Sequence, residues 1–340
     1  MESLGLALLG CGAISDFHLM GLREGASRTR VTAAIDRDLD RAAALAEKTG
    51  ARAFADFEQA LAWGGFDAVA ILLPHDLHEA FALRAFQAGR HVLLEKPMAP
   101  TLTACERILE AASKAGTVFM VAENAQYWPE VLTARELVRA GAIGELVTAR
   151  GVFFTPPLPA YYGGGADGGE RPWRFEAAAA GGGIAIDSGS HWLRPLRMWL
   201  GEVEEVVGAT GRPFAAMEGE SLVRALLRFD SGAVAVLDGM LTSARRAPEP
   251  LFRITGSEGE ITVEGIGDVV LWSADHPRGE RVGERQGYLK SYAGELADFE
   301  AACIDGRRPA AGPESSLGEL RAALALYRSA ESRRWEKVWE

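Results

Sequence analysis

Short apolar runs alternate with helix-like patterns along the first third of the chain. Five runs predict strands, over residues 5–10, 30–35, 67–73, 91–95 and 117–122. Between the later strands, Ala-rich stretches predict helices, over 38–48, 77–88 and 102–115. Nearly continuous apolar strands that alternate with helices are typical of a parallel sheet covered on both faces. The pattern therefore predicts an α/β domain at the N-terminus.

The pattern changes after about residue 124. A helix is predicted around 130–140, and six later segments with alternating polarity and short turns predict a largely antiparallel sheet. These segments are 204–211, 221–229, 233–241, 251–257, 259–265 and 268–274. Helical patterns at 290–305 and 314–331 follow. We expect two domains, residues 1–123 and 124–340, the second being α+β with a large, mostly antiparallel open sheet.

Composition narrows the class of protein. The chain has 340 residues, 48% hydrophobic and 24% charged, with a net charge of −11. An acidic chain without a basic block argues against nucleic acid and membrane partners, and no apolar run is long enough to span a bilayer. The apolar N-terminal stretch runs straight into glycines and is interpreted as a strand, not a signal peptide. Three widely spaced cysteines, Cys11, Cys105 and Cys303, fit reduced thiols in a cytoplasm.

A glycine motif follows the first predicted strand and opens a helix. Gly10 allows a tight turn, Gly12 lets a pyrophosphate approach the backbone, and Ser15 supplies a small residue where the helix packs on the sheet. Asp36 ends the second strand, at the right distance to bind a ribose 2′-hydroxyl. The combination predicts a Rossmann dinucleotide-binding domain. The carboxylate of Asp36 favours NAD over NADP, although the neighbouring Arg37 could soften that preference.

Two further motifs carry candidate chemistry but are ambiguous by themselves. Lys96 lies between an apolar strand and Pro97, and alone it would be interpreted as a surface lysine paired with Glu95. Asp187 and His191 are four residues apart, so at a helix start they share one face. A single histidine of this kind is more often a buried core residue than a catalytic one. Their residue types alone therefore leave the function open.

Together, these motifs resemble the Gfo/Idh/MocA family, named for glucose–fructose oxidoreductase and inositol dehydrogenase. The resemblance covers essentially the whole chain and rests on the motifs GCGAIS, PHDLH, GRHVLLEKP, GGGIAIDSGSH and DFEAACIDGRRP, together with Asp36. It implies an NAD(P)-dependent oxidoreductase that acts on a secondary hydroxyl of a sugar, cyclitol or sugar derivative. It also implies that Lys96 lies beside the nicotinamide and that the bond before Pro97 is cis.

The resemblance assigns roles to residues of this chain. Lys96 stabilises negative charge on the reacting oxygen, His191 takes the hydroxyl proton, and Asp187 binds substrate or orients the site. The predicted cofactor-binding residues are Gly10, Gly12, Ala13, Ile14, Asp36, Arg37, Leu73, Pro74, His78, Glu95, Lys96, Asn124, Trp173 and Arg174. The predicted substrate-binding residues are Lys96, Gln126, Tyr127, Arg174, Asp187, His191 and Arg194.

Two positions depart from the family pattern. Many relatives have an acid where this chain has Arg194 and an arginine where it has Gln126. Arg194 either binds a polar or acidic substituent of the substrate near Lys96 and His191, or pairs with a nearby acid. Tyr161 and Tyr162, in a Gly/Pro-rich segment at 155–172 that we interpret as a working loop or lid, either stack on a sugar ring or staple that loop.

Other functions stay open. Some relatives use tightly held NAD to hydrolyse glycosides, and others are non-catalytic dinucleotide-binding regulators. The presence of Lys96, Asp187 and His191 argues against a regulator. His75 and His78 lack a second ligand cluster, so no metal site is predicted. One face of the sheet in the second domain is expected to pack against another subunit, so we expect a homodimer or homotetramer. The expected partner of the site is a small sugar or polyol substrate.

Overall fold

The computed structural model describes residues 2–158, 172–244, 247–283 and 286–340. The chain divides into two compact units, residues 1–123 with 289–317, and residues 124–288 with 318–340. The sequence-based division placed everything after residue 123 in the second domain, whereas residues 289–317 group with the first unit. The assignment of cofactor binding to one domain and of substrate binding and oligomerisation to the other stays a prediction.

The first unit is built on a six-stranded parallel sheet, as the apolar runs predict. Its strands are β1 (Leu4–Leu9), β2 (Thr29–Ile35), β3 (Arg52–Phe54), β4 (Ala68–Ile71), β5 (His91–Glu95) and β6 (Phe119–Ala122). The order is β3-β2-β1-β4-β5-β6, so the strand order reverses between β1 and β4. Ligands bind at such a switch point, outside the carboxyl ends of the strands.

Helices connect these strands, and the sequence fixes their ends. They are α1 (Ala13–Gly25), α2 (Leu39–Thr49), α3 (Phe57–Trp63), α4 (His78–Gln87) and α5 (Leu102–Ala115). Side-chain oxygens accept backbone N–H bonds at the starts of α2, α3 and α5, from Asp38, Asp56 and Thr101. The same three helices end at glycines in the left-handed backbone conformation, Gly50, Gly64 and Gly116. Both devices satisfy backbone groups that a helix leaves without a partner at its ends.

One later helix, Leu289–Asp305 (α9 in chain order), belongs to the first unit and packs on α1. A Cβ at Gly21 would lie 2.8 Å from the backbone carbon of Tyr292, and one at Gly25 would lie 2.0 Å from the carbonyl oxygen of Ala293. Only glycine allows two helices to approach this closely. The two glycines of α1 therefore explain why this distant helix joins the first unit.

The second unit is built on a nine-stranded sheet. Its strands are β7 (Leu146–Thr155), β8 (Val203–Gly211), β9 (Leu222–Phe229), β10 (Val234–Leu241), β11 (Phe252–Gly256), β12 (Gly259–Gly265), β13 (Asp268–Ser273), β14 (Glu280–Val282) and β15 (Glu336–Lys337). The order is β14-β13-β12-β11-β7-β10-β9-β8-β15. Within the described ranges, β7 and β10 are parallel and all other neighbours are antiparallel. The prediction of a mostly antiparallel sheet is therefore confirmed.

The two faces of this sheet differ, as strand β9 illustrates. Val223, Leu227 and Phe229 are buried, whereas Arg224 and Leu226 on the opposite face are exposed. The helices of this part of the chain are α6 (Pro129–Arg139), α7 (Ala177–Ala180), α8 (Ser190–Leu200) and, from residue 318 on, α10 (Ser315–Ser332). Helix α8 packs on β7 and β10. Across the described segments, no helix is long and apolar enough to cross a membrane.

Candidate active site

The glycine turn after β1 has the geometry of a phosphate cradle. Gly10 has φ +100°, and a Cβ there would lie 2.4 Å from the carbonyl oxygen of Leu72. Gly12 begins helix α1 without a side-chain cap, and a Cβ there would meet nothing within 4 Å. The first backbone N–H groups of a helix have no hydrogen-bond partner within the helix, so a helix start favours the binding of an anion such as pyrophosphate. Ala13 and Ile14 form the first turn of that helix.

The carboxylate of Asp36 is fixed beside this turn. Its Oδ2 accepts the Cys11 N–H at 2.8 Å, and its Oδ1 accepts the Asp38 N–H at 2.9 Å. Burial, followed by the charge of Asp36, raises the pKa of Cys11 to about 12, so the thiol stays neutral there. Arg37 is exposed. A carboxylate held at the carboxyl end of β2, next to a phosphate cradle, is placed to bind a ribose hydroxyl.

The predicted residues of the first unit gather at one edge of the parallel sheet. The ends of β4, β5 and β6 are in register, with Ile71 opposite Leu94 and Glu95 opposite Ala122. The segments that follow these strands therefore leave the sheet at the edge where the glycine turn follows β1. They carry the predicted residues Leu73, Pro74 and Lys96, and Glu95 is the last residue of β5. The bond between Lys96 and Pro97 is cis, which confirms what the resemblance implies.

Two buried histidines hold the backbone around Lys96. His18 of α1 lies with Nε2 2.9 Å from Oε1 of Glu95, whose Oε2 accepts the Lys96 N–H at 3.1 Å. His78 lies with Nδ1 2.9 Å from the carbonyl oxygen of Pro97 and Nε2 2.9 Å from that of Leu73. Its side chain is fully buried, and burial lowers its pKa. Both nitrogens of His78 thus face the protein, which favours a bracing role over direct cofactor contact.

Sequence reasoning missed a buried acid in this unit. Glu295 of α9 has no exposed surface, and within the described residues neither carboxylate oxygen has a hydrogen-bond partner. Burial is the largest cause that raises its pKa well above the usual value, and the charges of Glu95 and Glu123 add to it. Both causes favour the protonated form of Glu295. Its sequence context resembles an ordinary helical surface position, so no local signal identifies it.

In the second unit, Asp187 and Arg174 form an ion pair. Arg174 Nε lies 3.0 Å from Asp187 Oδ2, and its guanidinium stacks 4.3 Å from the ring centre of Trp173. Both contacts orient the arginine. Asp187 is 7% exposed and lies in the turn that leads into α8. The structure thus brings together three of the predicted site residues of this unit.

His191 follows in the first turn of α8. The backbone N–H of His191 donates to the carbonyl oxygen of Ser188 at 3.2 Å, and the Ser190 hydroxyl donates to the carbonyl oxygen of Asp187 at 3.0 Å. These bonds join the turn that carries Asp187 to the start of the helix. The imidazole is half-buried, with its ring centre 6.0 Å from that of Trp128. The backbone therefore fixes where Asp187 and His191 lie relative to each other.

The two departures from the family pattern lie next to each other. Arg194 is 4% exposed, with Nη2 2.9 Å from Glu319 Oε2 and Nη1 3.4 Å from Gln126 Oε1. This buried ion pair favours the interpretation that Arg194 pairs with an acid, and its contact with substrate stays a prediction. Asn124 and Gln126 are buried in a short 3₁₀ turn with the half-buried Tyr127.

Tyr161 and Tyr162 lie outside the described residues. His75 is buried and its ring contacts that of His78. In the described part of the chain, no group of three or more His, Cys, Asp or Glu side chains is placed to hold a metal ion.

Comparison with known protein families identifies the class. Residues 4–123 match the model of an oxidoreductase family with an NAD-binding Rossmann fold. Residues 131–262 match the GFO/IDH/MocA C-terminal domain. The chain belongs to the GFO/IDH/MocA family of oxidoreductases, as the sequence motifs predict.

Individual relatives give the same picture. The chain is 29% identical to 1,5-anhydro-D-fructose reductase of Ensifer adhaerens, over 95% of each chain. It is 30% identical to dTDP-3,4-didehydro-2,6-dideoxy-alpha-D-glucose 3-reductase of Streptomyces violaceoruber, over 78% of this chain and 73% of that one. Levoglucosan dehydrogenase in complex with NADH has the same fold, with a TM-score of 0.87 at 22% identity over 99% of both chains.

Proposed function

We propose that the protein is an NAD-dependent dehydrogenase that oxidises a secondary hydroxyl of a sugar, cyclitol or sugar derivative, or that catalyses the reverse reduction. The observation that carries the cofactor assignment is the open cradle at Gly10 and Gly12 with the carboxylate of Asp36 fixed beside it. The substrate class is supported by the names of relatives, among them inositol 2-dehydrogenase and D-apiose dehydrogenase. Bound NAD supplies the carbon that exchanges hydride with the substrate.

In this proposal two side chains act on the substrate hydroxyl and a third orients the site. Lys96 places a positive charge at the oxygen, where negative charge develops as the hydroxyl proton leaves in oxidation, or as hydride adds to the carbonyl carbon in reduction. His191 takes the hydroxyl proton in oxidation and returns it in reduction. Asp187, oriented by Arg174, holds the substrate or the imidazole in place.

A substrate panel tests this proposal. Sugars, inositols and sugar acids are each offered with NAD and with NADP, and reduced nicotinamide is measured by its absorbance. We expect stoichiometric NADH from at least one polyol. Cleavage of a glycoside without net NADH would instead indicate a glycoside hydrolase. Binding of NAD without any turnover would indicate a regulator.

Cofactor choice gives a first mutational prediction. Asp36→Ser is expected to lower the preference for NAD over NADP roughly tenfold or more, because it removes hydrogen bonds to a charged acceptor and relieves repulsion of a 2′-phosphate. The ratio of kcat/KM values for the two cofactors measures this. Asp40→Ser, which changes an exposed acid in α2, is the control. A wild-type protein that already prefers NADP would contradict the role of Asp36.

We also propose a cytoplasmic homodimer or homotetramer. The exposed face of β9 and β10 carries apolar Leu226 and Val234 among charged side chains, and a second copy would cover it. The odd number of widely spaced cysteines supports a reducing compartment.

Light scattering of the purified protein is expected to give at least twice the chain mass of 36.4 kDa. Leu226→Glu is expected to lower that mass, and a monomeric wild type would contradict the proposal.

A further inference from the structure

The C-terminal helix α10 contacts both parts of the segment that carries Asp187 and His191. Tyr327 reaches the glycine-rich turn before Asp187, and Glu319 reaches helix α8, which begins next to His191. The two residues are eight positions apart, or roughly 12 Å along a helix. They lie more than 120 residues from the motif in sequence. Neither is among the residues that the sequence motifs single out.

Tyr327 holds the backbone of the glycine turn. Its hydroxyl accepts the Gly183 N–H at 3.1 Å and donates to Glu220 Oε1 at 2.9 Å, and the same carboxylate oxygen accepts the Ala185 N–H at 2.8 Å. The Asp187 N–H in turn donates to Gly183 O at 3.2 Å. The phenol is therefore linked to the backbone of the turn that carries Asp187, directly at Gly183 and through the Glu220 carboxylate at Ala185.

Close packing explains the glycines of this turn. A Cβ at Gly182 would lie 2.3 Å from the Tyr327 hydroxyl, and one at Gly183 would lie 2.0 Å from the carbonyl oxygen of Glu220. Burial, and then the neighbouring Glu220 carboxylate, raise the pKa of Tyr327 well above its usual value, so the hydroxyl keeps the proton that it donates. In a desolvated setting such hydrogen bonds are strong and costly to lose.

Glu319 holds helix α8. Its Oε2 lies 2.9 Å from Arg194 Nη2, and its Oε1 bonds Arg197 Nη1. The three side chains are 5–6% exposed. Gly318 permits this approach, because a Cβ there would lie 2.1 Å from Arg197 Cζ. One carboxylate thus bonds two arginines on successive turns of the same helix, which fixes its rotation as well as its position.

A buried ion pair is a poor way to gain stability, because desolvation offsets most of the attraction. The ion pair instead fixes the relative orientation of the groups that it joins, because guanidinium–carboxylate hydrogen bonds have a defined geometry. We propose that Tyr327 and Glu319 are positioning residues that hold Asp187 and His191 in the geometry the reaction requires. The proposal rests on the proposed function for the roles of those two residues. The backbone that Tyr327 and Glu319 hold is observable without any activity.

The experiment compares Tyr327→Phe and Glu319→Asp with matched controls. Glu319→Asp keeps the charge and shortens the reach, so it avoids the uncompensated arginines that Glu319→Gln would leave. The controls are Arg328→Gln, on the exposed side of the same helix, and Glu205→Gln, which breaks an Arg–Glu pair elsewhere in this unit. Each variant is measured by hydrogen–deuterium exchange, by kcat and KM for the sugar, and by NAD affinity.

Tyr327→Phe is expected to raise amide exchange in residues 181–189 about tenfold or more, and Glu319→Asp to do so in residues 190–197. In both variants kcat is expected to fall roughly 10–100-fold, since small displacements of catalytic groups cost that much. We expect NAD affinity to change by less than about threefold, because neither variant touches the glycine turn after β1 or Asp36, and we expect KM to rise by less than kcat falls. Both controls are expected to match the wild type in every measurement.

Unchanged exchange across residues 181–197 would overturn the proposal, whatever the activity. Increased exchange with unchanged kcat would also overturn it, because the geometry would then not limit turnover. A wild type that converts no sugar would refute the proposed function instead. In that case the exchange data alone would still decide whether α10 holds this segment.

Discussion

Lys96→Ala is expected to lower turnover by about a hundredfold or more while leaving NAD affinity nearly unchanged. A positive charge aimed at the oxygen on which negative charge develops stabilises the transition state more than the ground state, and the loss of one such donor typically costs that much. The lysine lies after β5, whereas the phosphate cradle lies after β1. Removing its side chain therefore spares the groups that bind the pyrophosphate.

Stopped-flow turnover and fluorescence titration of NADH measure the two quantities separately. Lys114→Ala is the matched control, because Lys114 lies on the exposed side of α5 in a surface pair with Glu110, and such pairs contribute little. Near-normal turnover of the Lys96 variant on the true substrate would remove the lysine from the catalytic set. A large loss of NAD affinity would mean that it acts on the cofactor and not on the substrate oxygen.

The sequence predicts most of the first unit, because parallel strands buried on both faces appear as continuous apolar runs. Five of its six strands follow from such runs. Strand β3 has three residues and helix α3 has seven, too few for either pattern to be distinctive. Strand β7 was also missed. It is central in the second sheet, but its exposed Val147 and buried Gly151 interrupt the alternation expected of a half-buried strand.

The candidate site is predictable where a motif fixes the local backbone. Gly10, Gly12 and Asp36 lie where the motif implies, because a turn and a strand end determine their positions. The side chains that hold the motif in place could not be predicted from the sequence in this way. Tyr327, Glu319 and Glu220 approach residues 183–197 only through the tertiary fold, and their types and spacing resemble an ordinary amphipathic helix and a strand end. A single sequence carries no local signal for such contacts.

Glu295 gives a second large expected effect, on stability instead of turnover. Its pKa in the folded protein is raised well above the ordinary value of a glutamate, mainly by burial. Between the unfolded and folded pKa values the native state binds more protons than the unfolded state, so stability falls as the pH rises through that window. Glu295→Gln removes this penalty. The variant is expected to be more stable than wild type at pH above the unfolded pKa, and the difference is expected to grow by about 1.4 kcal/mol per pH unit within the window.

Urea unfolding midpoints measured at several pH values, from mildly acidic to mildly alkaline, test this expectation. Glu300→Gln is the matched control on the same helix, because Glu300 Oε2 is fully used, accepting the Arg28 N–H at 2.8 Å and the Thr29 hydroxyl at 2.7 Å. Its replacement weakens charge-assisted hydrogen bonds and is expected to lower the midpoint. Parallel curves for wild type and Glu295→Gln would contradict the expectation, because they would show that neither burial nor the charges of Glu95 and Glu123 raise the pKa of Glu295 in the folded protein.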